Sequence, residues 1–158
     1  MARKYQKGVV MKSVLIVYGS TTGNTAHVAD VLEKVLAARG LTVKNTDVSH
    51  VKAEGLCVDF DLVLFGCSTW GMEDVELQDD FISLFDEFDR IGAAGKKTAV
   101  FGCGDSGYTW FCGAVDAIEK KLEELGAEVV DTLRIDGDPQ SQDNEIEAWA
   151  GRVAGSLA

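Results

Sequence analysis

Val14-Leu15-Ile16-Val17-Tyr18-Gly19-Ser20-Thr21-Thr22-Gly23-Asn24-Thr25 joins an unbroken apolar run, VLIVY, to seven small and polar residues, GSTTGNT. A short, β-branched apolar run suits a strand buried on both faces, the habit of a parallel sheet covered by helices. Beyond the turn the pattern changes to that of a helix. Val28, Val31, Leu32, Val35 and Leu36 recur on one helical face, and Gly40 stands where a left-handed cap would end it.

That unit recurs along the chain. Apolar runs at 41–48 (LTVKNTDV), 61–66 (DLVLFG), 98–103 (TAVFGC) and 128–135 (EVVDTLRI) predict four more strands. Val115, Ile118, Leu122 and Leu125 mark a helix before Gly126, and Ile146, Trp149, Ala150, Val153 and Leu157 mark a terminal one. Five strands alternating with helices give a doubly wound α/β sandwich, since each parallel strand needs a right-handed crossover. In such sheets ligands bind beyond the carboxyl ends of the strands.

With 158 residues, 46% of them hydrophobic, the chain has material for one sizeable core, and no repeat or proline-rich linker divides it. A formal charge of −11 excludes a basic nucleic-acid surface and favours basic protein partners. Cys57, Cys67, Cys103 and Cys112 form no CxxC, and His27 and His50 stand apart from them, so no zinc site is expected. They read as free, half-buried thiols of a reducing compartment. The start resembles a signal peptide only in outline, since Lys12 interrupts the apolar run and no small-x-small site comes after it. Residues 1–11 are expected to be a disordered extension, with Met11 a plausible initiator, and no run reaches the length of a membrane span.

Three loops leave the ligand ends of strands. In GSTTGNT, four hydroxyls in the six residues Ser20–Thr25 stand at a helix start, where free amides and the helix dipole attract an anion. Capping alone would need fewer hydroxyls. The loop lacks the Gly-Lys-Ser/Thr of a P-loop and any cysteine nucleophile, which disfavours triphosphate hydrolysis and thiol-based phosphatase chemistry. It also lacks Lys and Arg, so a phosphate there would keep its charge electrically visible. The second loop carries Trp70; the third carries Tyr108, Trp110 and Phe111. Trp70 and Tyr108, set among small polar residues, suit a flat heterocycle held between them, whereas Phe111, beside the helix start, reads as core.

Gly102-Cys103-Gly104-Asp105-Ser106-Gly107 is a literal GxGxxG, the outline of a nicotinamide-dinucleotide site. The stretch YTWFC delays the helix, so the third glycine would not meet a pyrophosphate at a helix start. A phosphorylatable receiver domain is disfavoured too, because strand three ends in Phe65-Gly66-Cys67 rather than in an acidic pocket.

Taken together, GSTTGNT, Cys67-Ser68-Thr69-Trp70-Gly71 and Cys103-Gly104-Asp105-Ser106-Gly107-Tyr108, in order after strands one, three and four, resemble the short-chain flavodoxins over residues 12–158. The resemblance implies a single flavodoxin-like domain: a three-layer sandwich around a five-stranded parallel sheet of order 2-1-3-4-5, with helices on both faces. It implies noncovalent FMN, its phosphate at Ser20, Thr21, Thr22, Gly23, Asn24 and Thr25, and its ribityl chain near Ser68, Thr69 and Asp105. The isoalloxazine would lie between Trp70 and Tyr108. Cys103 stands at the mouth of the third loop, and backbone groups from Gly104 to Cys112, including Trp110 and Phe111, would reach the pyrimidine edge. The sequence departs from the family in placing Met72 before Glu73 and Asp74, and in having Trp110 where another aromatic is common.

The implied function is low-potential one-electron transport between semiquinone and hydroquinone, with basic reductases, cytochromes and other electron-transfer enzymes as partners. A cytoplasmic monomer with no membrane or nucleic-acid role is expected. Gly71, without a β-carbon, could turn its carbonyl toward the flavin N5. From Glu73 to Asp89 the chain carries eight carboxylates and no base. Each would oppose an added electron 10 Å away by about 0.4 kcal/mol in water and about 1.7 at an effective dielectric of 20. The same run also reads as a solvated helix face. A flavin-dependent quinone or nicotinamide oxidoreductase on the same fold is the alternative; the loops offer it no catalytic base.

Overall fold

A computed structural model describes residues 5–6, 9–10, 12–20, 23–70, 76–104 and 112–157, with the side chains of 5, 6, 9, 10, 70 and 76 excepted. Five strands form one parallel sheet: β1 (Ser13–Gly19), β2 (Thr42–Asp47), β3 (Leu62–Cys67), β4 (Lys97–Gly104) and β5 (Glu128–Asp136). Their order is β2-β1-β3-β4-β5, the expected 2-1-3-4-5. Val14 pairs with Leu62 and Leu62 with Lys97, so the three central strands run in step. The ladder between β4 and β5 shifts register at Thr98/Ala99, where Val129 and Asp131 pair with successive residues.

Strand periodicity divides the core into two layers. Val14, Ile16, Leu62, Leu64, Ala99 and Phe101 face α1 (Asn24–Ala38) and α4 (Asp143–Gly155), packing on Leu32, Leu36, Trp149 and Val153. Leu15, Val17, Val63, Phe65 and Val100 face the opposite way, toward α2 (Asp79–Phe85) and α3 (Gly113–Glu124), and pack with Phe81, Leu84, Ile118 and Leu122. Successive side chains of one strand thus feed opposite cores, which is why the runs read as continuously apolar. α1 ends where expected: Gly40 N–H donates to Ala37 O and Leu41 N–H to Leu36 O.

The acidic run is a helix face and more. Asp79, Asp80, Asp86, Glu87 and Asp89 are exposed, while Phe81, Leu84 and Phe88 are buried against Phe65, whose ring centroid lies 5.1 Å from that of Phe88. Within the leading stretch expected to be disordered, Tyr5–Gln6 pairs antiparallel with Val9–Val10, a two-residue ladder of a kind marginal by itself in water. The cysteines need a correction. All four are free but buried rather than half-buried, because Cys57, Cys67 and Cys112 pack into one core layer and Cys103 into the other. Among the described residues no helix is long and apolar enough to cross a membrane.

Candidate functional site

The carboxyl ends of β1, β3 and β4 converge on one edge of the sandwich, and the three loops leave from there. After β1, Ser20 Oγ accepts the Gly23 N–H at 3.1 Å, closing the turn on itself. Gly23 is the N-cap of α1, with φ of 92°; it is exposed, and a β-carbon built on it would meet nothing within 4 Å among the described residues. No side chain of the cap residue bonds the first turn, and that turn contains no carboxylate, whereas α2, α3 and α4 each carry at least one there. The positive end of the α1 dipole is thus left uncompensated by its own first turn. Asn24 is exposed at this end; Thr21 and Thr22 lie outside the described residues.

Thr25 is buried in the first turn of α1, and its Oγ1 shares a 2.8 Å hydrogen bond with Oγ of Ser68, which is 7% exposed at the end of β3. Ser68 is thereby tied to the helix that the first loop opens. The next hydroxyl, Thr69 Oγ1, accepts the N–H of Ala114 in α3 at 2.9 Å. Thr69–Trp70 then pairs antiparallel with Glu76–Leu77, Trp70 opposite Glu76. Gln78 closes this ladder: its N–H donates to Ser68 O at 3.2 Å, and its Oε1 accepts the Phe81 N–H to cap α2. Gly71 lies outside the described residues.

The third loop leaves β4 at Cys103 and Gly104. Burial pushes the Cys103 thiol up to about 11, with a hydrogen bond to the Thr25 side chain pulling the other way. Gly104 O accepts the Gly137 N–H at 3.0 Å, pinning the mouth of the loop to the end of β5. Asp105, Tyr108, Trp110 and Phe111 lie outside the described residues. The chain returns at Cys112, whose φ of 50° is the only positive value among described non-glycine residues. Its thiol turns inward toward Gly102 O and Ile135 O at 3.7 and 3.9 Å, and burial raises it to about 12. Both cysteines of the expected site therefore keep their sulfur buried.

The structure thus brings Ser20, Gly23, Asn24, Thr25, Ser68, Thr69, Cys103, Gly104 and Cys112 to one end of the sheet. A cleft of about 500 Å³ lined by Ser49, Lys52, Ala53, Asp80, Leu84 and Arg90 includes none of them. Sequence reading missed Gln78, hidden among carboxylates; its signal was a polar residue three and six places before the buried Phe81 and Leu84. It also missed the 2.9 Å pair of His27 Nε2 and Asp143 Oδ1, which joins the first turns of α1 and α4. No group of three or more metal-ligating side chains occurs among the described residues.

The arrangement fits FMN on its own terms: an exposed helix terminus with no carboxylate in its own first turn, with hydroxyls of two loops beside it. Comparison with known proteins agrees. The flavodoxin family model matches residues 16–149. A flavodoxin of Nitratidesulfovibrio vulgaris (strain Miyazaki F) is 57% identical over 93% of this chain and its own full length; one of Maridesulfovibrio salexigens is 51% identical with the same coverage. The crystal structure of oxidised flavodoxin 1 from Bacillus cereus superposes with a TM-score of 0.83 at 30% identity, over 93% of this chain and 100% of that one. The chain belongs to the flavodoxin family, as a short-chain member that carries electrons on FMN and is not an enzyme.

Proposed function

We propose that this flavodoxin is a low-potential, one-electron carrier in which residues 12–158 act as a single FMN-binding domain. The observation that carries this reading is the α1 terminus: uncapped by Gly23, open to solvent, without a carboxylate in its first turn and flanked by Ser20, Thr25 and Ser68. Phosphate binding by dipoles and hydroxyls, with no cation, leaves a negative charge in place beside the ring. When bound, FMN supplies the one-electron chemistry. The chain's own residues do the rest: Trp70 and Tyr108 hold the ring between two loops, and backbone groups around Gly104–Cys112 meet its polar edge. Gly71 leaves its peptide free to turn toward the ring. Exposed Asp79, Asp80, Asp86, Glu87 and Asp89 add negative potential that disfavours an extra electron and attracts basic redox partners. A monomer working in the cytoplasm fits this role.

Two measurements test the proposal. Stepwise anaerobic reduction, tracked by absorbance, is expected to take the protein from yellow through blue to nearly colourless. Direct bleaching, or steady turnover with a nicotinamide alone, would overturn the carrier reading. Titration of the flavin-free protein should show FMN binding at least about a hundredfold more tightly than riboflavin, as expected of several charge-assisted hydrogen bonds; equal affinities would remove the phosphate from α1.

A further inference from the structure

We infer that Thr69 is a positioning residue that caps α3 from the opposite ligand loop and so sets the two ring-holding loops as one unit. α3 starts without help from its own N-cap. Cys112 has left-handed backbone, makes no side-chain cap bond, and turns its thiol away toward the carbonyls of Gly102 and Ile135. Ala114 is fully buried, so an unpartnered amide there would be costly. Thr69 Oγ1, 45 residues earlier in the chain, supplies the acceptor at 2.9 Å.

The preceding residue does the mirror-image job. Ser68 Oγ meets Thr25 Oγ1 in α1, and in extended chain neighbouring side chains point to opposite sides. Two consecutive hydroxyls at the end of β3 therefore reach first turns in both helical layers. Trp70 is the next residue after Thr69, and the residues expected to meet the far side of the ring lead into Ala114. The Thr69–Ala114 bond thus ties the residue before Trp70 to the first turn of α3. This inference rests on the ring lying between the two loops.

The test compares Thr69→Val, which keeps the shape and removes the oxygen, with Thr69→Ser, which restores the oxygen, in the FMN-bound protein. Thr69→Ala replaces the valine variant should that fail to fold. In Thr69→Val the Ala114 amide is expected to exchange with solvent roughly tenfold faster, as for loss of a helix cap, and FMN to dissociate roughly tenfold faster with an altered visible circular dichroism. Thr69→Ser should return all three to near the parent values. Faster flavin loss with unchanged Ala114 exchange would mean that the hydroxyl acts on the ligand directly, and overturns the inference. Faster Ala114 exchange with unchanged flavin release and spectrum would make the cap purely structural, and overturns it equally. Failure of the ring's placement has its own signature: Trp70→Ala and Tyr108→Ala would both leave flavin release unchanged, and the flavin half of the inference would fall with it while Ala114 exchange still reported the cap.

Discussion

A β-carbon on Gly66 would stand 2.2 Å from Cζ of Phe101, inside the van der Waals surface of a ring that is itself fully buried and 6.3 Å from the centroid of Trp149. Gly66 is therefore what lets β4 present an aromatic to the α1/α4 layer beside β3. Gly66→Ala should destabilise the protein by about 2 to 3 kcal/mol through overpacking. Urea unfolding measures this, and Phe101→Leu in the same chain should recover part of the loss, since the two changes share one space.

The buried hydroxyl pair Thr25–Ser68 predicts non-additivity. Thr25→Val and Ser68→Ala should each cost about 1 kcal/mol, and the double variant clearly less than the sum, because either change already breaks their common hydrogen bond. A double-mutant cycle from chemical denaturation gives the coupling directly.

The thiols set an alkaline limit. Burial raises Cys57, Cys67 and Cys112 from 9.0 to about 12 and Cys103 to about 11. Above pH 9 the unfolded chain loses protons that the folded chain retains, so rising pH favours unfolding. Stability from this source is intact below pH 9 and lost progressively toward pH 12, by up to about 1.4 kcal/mol per pH unit for each thiol. Tyr18, raised mainly by burial and next by Asp47, pulls the same way above its ordinary 10.0. Thermal melts between pH 8 and 11 should show the decline, and a thiol reagent at pH 8 should label the cysteines only after denaturation.

Trp149 Nε1 is buried with no hydrogen-bond partner among the described residues. Trp149→Phe removes that stranded donor while keeping most of the ring, so its cost should stay below about 2 kcal/mol, against about 3 to 5 for Trp149→Ala. Equal losses in denaturation experiments would show that the indole nitrogen is satisfied.

Exposed carboxylates on α2 should govern the rate of partner encounter. Asp79→Asn with Asp80→Asn is expected to slow electron transfer to a cationic redox protein roughly threefold at low ionic strength, with parent and variant converging in high salt. Stopped-flow kinetics at two salt concentrations test it; a difference that survives screening would point to contact rather than steering.

Much of this architecture is legible in the sequence because its physics is local. VLIVY, DLVLFG and TAVFGC are apolar on both faces, and the loop chemistry after each is distinct. What they do not disclose is which layer each side chain feeds: Val14 and Ile16 face α1 and α4, Leu15 and Val17 the other pair, and only the handed crossovers decide that. α2 is harder to read, because its apolar face is two residues wide amid carboxylates. The Thr25–Ser68 and Thr69–Ala114 bonds join positions 43 and 45 apart, and no local pattern announces them. Thiol burial escapes the sequence for the same reason: a strand-end cysteine looks semi-exposed until the covering helix is in place.

The strand order also governs how the molecule meets its own copies. β2 and β5 are the sheet's outer members, each paired on one side only within it, and a row of open amides and carbonyls invites another chain to extend the ladder. Both borders are studded with charge: Lys44 and Asp47 on one, Glu128, Asp131, Arg134 and Asp136 on the other. A neighbour approaching edge-on would have to strip water from these groups before gaining a single strand bond, a cost that disfavours ladder growth at both margins.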